Sequence, residues 1–134
     1  MQFTISSSKR EEIIDITKQV EELVNKEGEK GNSCLVYAPH TTCAIIVNEN
    51  YDSDVHSDIL EHLGKIVPAG IGKHSEGNSD AHIKSSLVGQ SQIIPIEDGK
   101  LQLGRWQGIG LVEFDGPRER KNKVGAGTET DRGL

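Results

Sequence analysis

The chain has 134 residues, the length of one domain and too short for two. Its formal net charge of −6 argues against nonspecific binding to nucleic acid or to anionic membrane as a main role. A hydrophobic fraction of 34% permits a core only where the apolar residues are concentrated. They gather in four runs: Leu35 to Ala38, Ala44 to Val47, Ile93 to Ile96 and Ile109 to Val112. Rich in Val and Ile and bounded by Gly, Pro or Asn, these runs predict strands.

In chain order, Met1 to Ile5 opens a strand over about residues 2–8 and lacks the basic and apolar regions of a signal peptide. No apolar stretch approaches the ~18 residues of a membrane-crossing helix. The cytoplasm is therefore the expected location, with neither membrane nor nucleic acid as partner. Ile16, Val20, Leu23 and Val24 then fall at i, i+4, i+7 and i+8, predicting a helix over 15–27 with Asp15 as its cap and Gly28 as its stop. Strands follow at 33–38 and 43–48, interrupted by Pro39-His40-Thr41-Thr42. Cys34 and Cys43 lie in or beside these strands and form no CxxC, which reads as two buried reduced thiols.

Val55, Ile59 and Leu63 make the stripe of a second helix over 53–63, closed by Gly64. Residues 64–78 read as a glycine-rich loop. It leads into a third helix over 80–88, with Ser79 as cap, Ile83 and Leu87 facing inward and Gly89 as stop. Asp98-Gly99 predicts a hairpin between strands at 92–97 and 100–104. Further strands follow at 106–114 and 119–124, and residues 125–134 have almost nothing to bury. The pattern predicts one α+β domain over 1–124 with a flexible tail over 125–134. Its architecture is a mostly antiparallel sheet or sandwich with two to three helices packed on one side.

Three histidines sit where sites usually form, at breaks between regular elements. His40 interrupts two strands, His74 lies in the glycine-rich loop two residues before Glu76, and His82 falls in the first turn of the third helix. His56 and His62 lie on a helix flank and read as solvated. Three histidines with an open fourth position suit a catalytic zinc. Their separations of 34 and 8 residues match no compact motif, however, so an unliganded polar cluster stands beside that reading. The start of the third helix at Ser79 offers unpaired N–H groups and a positive dipole end to a phosphate, or is an ordinary cap. Along 106–114, Trp106, Gly108, Gly110 and Val112 share one strand face, where the glycines leave space for a ring or an approaching backbone, or Trp106 is a buried structural residue. Arg118 and Arg120 follow; they can clamp phosphate or carboxylate, or pair with Glu119 and Glu113.

Ser91, Ile94, Ile96, Gly99, Gly104, Trp106, Gln107 and Ile109 occur in the order of a known signature. They are joined by the blocks Pro39-His40-Thr41-Thr42, Asn48-Glu49, His74-Ser75-Glu76-Gly77-Asn78, Ala81-His82-Ile83-Lys84 and Glu113-Phe114-Asp115-Gly116-Pro117-Arg118. In these residues the chain resembles the YjbQ family, whose members are described as secondary thiamine-phosphate synthases. It departs at Arg105, where the signature carries Thr.

The resemblance implies a small α+β domain assembling as a homotrimer, with sites near subunit boundaries. It implies that His40, His74 and His82 converge on zinc or another divalent metal, with Glu76, Asn78, Gln107 and Glu113 nearby. The implied activity joins an aminopyrimidine pyrophosphate to a thiazole phosphate and releases pyrophosphate, with magnesium accompanying that phosphorylated substrate. His40, Glu76, His82 and Glu113 are then the expected catalytic groups. Thr41, Thr42, Asn78, Ser79, Gln107, Arg118 and Arg120 are expected to hold the substrate. The alternatives are a metal- or phosphate-ligand-binding protein without turnover, and a zinc-assisted hydrolase with Glu76 or Glu113 as base.

Overall fold

Alternating burial along the chain generates strands, and each apolar stripe of period 3.6 generates a helix. In a computed structural model, which describes residues 1–26 and 31–127, the elements run β1 (Gln2–Ser6), β2 (Glu12–Asp15), α1 (Thr17–Lys26), β3 (Ser33–Tyr37) and β4 (Cys43–Glu49). They continue with α2 (Ser53–Ile66), α3 (Ser79–Val88), β5 (Ser91–Glu97), β6 (Lys100–Leu101), β7 (Gln107–Glu113) and β8 (Glu119–Gly127). Five strands pair antiparallel in the order β1-β8-β3-β5-β6, and three in the order β2-β7-β4. The fold is the expected α+β sandwich.

The main core lies between the sheets, where Cys34, Val36, Ile94 and Val124 of the larger meet Ile45, Ile109 and Leu111 of the smaller. Ile16, Val20 and Val24 of α1 belong to the same core. The other face of the smaller sheet presents Ala44, Val112 and Phe114 to Ala81 of α3 and to Leu60 and Leu63 of α2. These two helices thus cover one side. The outer face of the larger sheet carries Leu35, Tyr37 and Ile93, all exposed. The Asp98-Gly99 turn has positive φ at both residues (53° and 75°), the conformation that lets a two-residue loop follow strand twist.

Four expectations are corrected. The helix predicted from residue 15 begins at Thr17, and Glu12–Asp15 form β2, pairing with β7 from Glu12↔Glu113 to Asp15↔Gly110. Asp15 still serves that helix start, its Oδ1 accepting from the Thr17 amide at 2.9 Å and hydroxyl at 2.6 Å. The hairpin partner predicted over 100–104 pairs only at Lys100–Leu101. In α3, Ile83 and Leu87 point outward, at 40% and 62% exposure, while Asp80, Ala81, Lys84 and Ser85 are buried. Gly125, Ala126 and Gly127, assigned to the tail, extend β8 along β3, opposite Leu35, Cys34 and Ser33. Residues 128–134 and the expected helix stop at Gly28 lie outside the described residues.

Candidate functional site

At its C-terminal end β7 delivers Glu113 into the interior, where β8 returns with Arg120. The Arg120 Nε donates to both Glu113 oxygens, at 2.9 and 3.1 Å, and the Ser7 hydroxyl donates to Oε1 at 2.7 Å. The Asp115 amide reaches Oε2 at 3.1 Å. The Arg120 Nη2 donates to the Thr42 carbonyl at 3.1 Å and hydroxyl at 2.7 Å. Burial opposes charge on Glu113, but the bonds from Arg120, Ser7 and Asp115 outweigh it and hold its carboxyl below the usual range. Glu113, expected as a base, and Thr42 and Arg120, expected as phosphate ligands, thus lie in one bonded network. All three are buried, with Ser7 and the Asp115 amide completing the shell of Glu113.

A second constellation forms at the start of α3, where two buried side chains fix the helix. Asp80 accepts from Arg10 through both oxygens, at 3.1 and 3.2 Å, and Lys84 donates to Glu11 at 2.7 Å. Burial of Asp80 is outweighed by its Arg10 bonds and the Lys84 charge, and its carboxyl is held low. The Ser85 hydroxyl donates to the Cys43 carbonyl at 2.6 Å. These anchors explain why α3 turns its polar residues inward, and they place Ser79 and His82 on a fixed frame.

His74 is brought onto that frame by a directional chain of bonds. Asp115 is ion-paired with Arg118 at 3.0 Å and can only accept, so the Asn78 group 2.7 Å away is its Nδ2. The Asn78 Oδ1 must then face His74 Nε2, 2.6 Å away, and Nε2 carries the proton. The remaining nitrogen, Nδ1, presents its lone pair to the Ser79 hydroxyl. The His82 ring meets His74 edge-on, with centroids 5.3 Å apart. Gly72, His74, Ser79, His82 and Ile83 line a cavity of about 390 Å³. Gly72 has φ +98°, and a Cβ there would collide with the Ser79 hydroxyl.

His40 has a different task. Its Nε2 accepts the Lys121 amide at 2.8 Å, at the point where β3 has ended and the β3–β8 register would set Pro39 opposite Lys121. Burial, assisted by the Arg120 charge, pushes its imidazole below the ordinary value. Among the described residues no group of three or more His, Cys, Asp or Glu is placed to hold a metal ion. The described residues of one chain thus offer the implied zinc or magnesium no three-donor group. Both His74 nitrogens face Asn78 and Ser79, and the His40 Nε2 lone pair is occupied.

Of the remaining expected residues, Thr41 and Glu76 are exposed, and Arg118 is held by Asp115 through its side chain and carbonyl. Gln107 stands at the other end of β7, its Oε1 accepting the Gly104 amide at 2.8 Å. Sequence reasoning missed Asp115, Gly72 and the Asp80–Lys84–Arg10–Glu11 network. The i, i+4 spacing of Asp80 and Lys84 was the one readable sign of the last.

A family model described as UPF0047 protein YjbQ-like matches residues 1–127. The chain belongs to that family. It is 49% identical over 120 residues to a UPF0047 protein of Methanocaldococcus jannaschii, covering 89% of this chain and 87% of the relative. It is 48% identical to the UPF0047 protein YugU of Bacillus subtilis, over 87% of this chain and 89% of the relative. A crystal structure of an uncharacterised family member from Clostridium acetobutylicum superposes with a TM-score of 0.90 at 50% identity, covering 94% of this chain and 98% of the other. Another, from Sulfolobus solfataricus and described as of unknown function, gives 0.88 at 35% identity, covering 92% of each chain. The expectation of a thiamine-phosphate-synthase-like transferase does not survive these matches. The UPF0047 relatives carry no assigned activity, and the YjbQ-like family is distinct from the thiamine-phosphate synthases.

No helix among the described residues is long and apolar enough to cross a membrane.

Proposed function

We propose that this UPF0047 protein is an enzyme of acyl transfer to water, cleaving small esters or thioesters with Ser79 as nucleophile and His74 as its base. The observation that carries this reading is the one-way chain Asp115–Asn78–His74–Ser79. It leaves the His74 Nδ1 lone pair pointing at a hydroxyl that borders a cavity. A serine needs such a neighbour, because its hydroxyl is a weak nucleophile until a base takes the proton.

In the reaction the Ser79 proton passes to His74 Nδ1 as the Oγ–carbonyl carbon bond forms and the carbonyl π pair moves onto oxygen. Asn78 is the N-cap residue of α3 but makes no side-chain cap bond, so the positive end of the helix remains available to that oxyanion. Collapse breaks the bond to the leaving oxygen or sulfur, which takes up a proton. That proton is the one His74 Nδ1 received, so His74 is reset as the base; His82 lines the same cavity. Water then repeats the sequence on the acyl-serine and restores Ser79. Asn78 and Asp115 act through His74, holding its tautomer, and are positioning residues.

A fluorophosphonate probe tests this. Mass spectrometry should find Ser79 labelled in the native protein and unlabelled in Ser79→Ala. His74→Asn should slow labelling and p-nitrophenyl acetate hydrolysis by about a hundred- to ten-thousand-fold. A folded native protein whose Ser79 stays unlabelled would sink the proposal.

A further inference from the structure

Tyr37, Tyr51 and Trp106 are three of only five aromatic residues, and all three are exposed. Two of them touch. The Tyr51 and Trp106 rings stand perpendicular with centroids 5.7 Å apart, at 73% and 55% exposure. The strand register brings them together: β4 and β7 pair up to Glu49↔Gln107, and each chain then runs past the sheet end carrying one ring. Gly108 admits the Asn50 side chain at this end, since a Cβ there would collide with it. Asn50 is itself fixed, donating to Asp15 at 3.1 Å and the Ile109 carbonyl at 3.3 Å while its Oδ1 meets His56 at 2.9 Å. Beside Tyr51 lies a cleft of about 320 Å³, bordered also by Gln107, Asp15, Glu21 and Lys18, and Trp106 lines the hollow that adjoins it at Gln107. It lies at the opposite end of β7 from Glu113, roughly 20 Å away along the strand.

Water-facing aromatic rings held in a defined corner gain nothing for the core, so their use lies outside it. A ring face carries negative potential and attracts cations, and two perpendicular rings make two walls of a cation cage. The protein already demonstrates the preference. The Arg105 guanidinium lies over the Trp106 ring at 4.8 Å from its centroid. Asp15 and Glu21 add two carboxylates to the cleft against the single Lys18. We propose that Tyr51 and Trp106, with Asp15 and Glu21, form a binding site for a small organic cation of the alkylammonium type, for which Arg105 is a built-in competitor. This site is independent of the Ser79 chemistry.

Trp106 is the only tryptophan in the chain, so its fluorescence reports on this site alone. Choline is the probe, with sodium chloride at matched ionic strength as the blank. The control ligand is the neutral isostere of choline in which a tert-butyl group replaces the trimethylammonium. Choline should change the emission saturably in the millimolar range, and the isostere should bind about tenfold more weakly. Tyr51→Leu should weaken choline binding about fivefold, and Arg105→Gln should strengthen it about threefold by removing the competitor. Glu21→Gln is the second variant, altering an exposed helix position; it should weaken choline and leave the isostere unchanged. The absence of saturable binding, equal binding of the isostere, or indifference to Tyr51→Leu and Glu21→Gln would each overturn the proposal. Weaker binding in Arg105→Gln would likewise overturn it.

Discussion

At one end of β7, Glu113 is buried with both oxygens occupied by Arg120, Ser7 and the Asp115 amide; at the other, Trp106 and Gln107 stand in water. The usual placement is inverted, with charge inside and aromatic surface outside. Each inversion needs a physical reason, and the reasons differ. The buried charge is tolerable because its partner and hydrogen bonds replace the water it lost. Among the described residues the exposed ring has no such compensation beyond Tyr51 and Arg105. Polarity at the Glu113 end is therefore a matter of structure, and apolarity at the Trp106 end a matter of recognition.

The largest effect should come from breaking the first end. Glu113→Gln leaves the Arg120 guanidinium buried without its counter-charge, and the cost should be about 3–5 kcal/mol in denaturant unfolding. Replacing both partners, as Glu113→Gln with Arg120→Met, should cost less than Glu113→Gln alone, because no uncompensated charge remains. A double variant worse than the single would show that packing, not charge, dominates there. Acid tests the same pair. Glu113 and Asp80 both have folded pKa values below their unfolded ones. Their contribution is fully present above about pH 4.5, the unfolded carboxylate range, and is lost as pH falls through the folded values. The contribution of these two carboxylates should stay flat from neutral pH down into that range and then drop. His40, with its lowered value, adds an earlier and smaller loss as pH falls below about 6.5.

Substitution in the loop before α3 ranks next. Gly72→Ala forces a side chain into a left-handed conformation and against the Ser79 hydroxyl, and should cost about 1–3 kcal/mol. It should also displace Ser79 from His74 and suppress probe labelling. Gly70 has φ +80° but nothing within 4 Å of an added Cβ. Gly70→Ala should therefore cost only about 1 kcal/mol of backbone strain and leave labelling intact. Equal labelling in the two variants would separate Gly72 from the site.

The same contrast explains what the sequence could convey. The apolar runs became β3, β4, β5 and β7 because each alternates or fills against a layer it meets locally. β2 was not legible. Ile13 and Ile14 lie side by side, one packing with the helix-covered face and the other with the main core, so no stripe marks them. The face of α3 was misread because Asp80 and Lys84 look like solvent-facing residues until Arg10 and Glu11 arrive from 70 or more positions away. His74, Asn78, Ser79 and His82 were legible because one loop and one helix start carry them all. Asp115, which fixes their direction, comes from the β7–β8 turn and leaves no local signal.

The smallest effect should come from the aromatic end. An edge-to-face pair is worth about 0.5–1.5 kcal/mol beyond its area when buried, and Tyr51 is 73% exposed. Most of that attraction is already satisfied by water, and Tyr51→Leu creates no cavity and orphans no buried polar group. Its unfolding free energy should stay within about 0.5 kcal/mol of the native protein, the range of ordinary surface substitutions. Measured beside the choline titration, this separates the two ends cleanly. At Glu113 a single change removes stability, whereas at Tyr51 it should remove binding and leave stability in place. A loss of more than about 1 kcal/mol in Tyr51→Leu would mean the rings brace the β4–β7 end as structure, and the inversion at that end would need the same explanation as the buried ion pair.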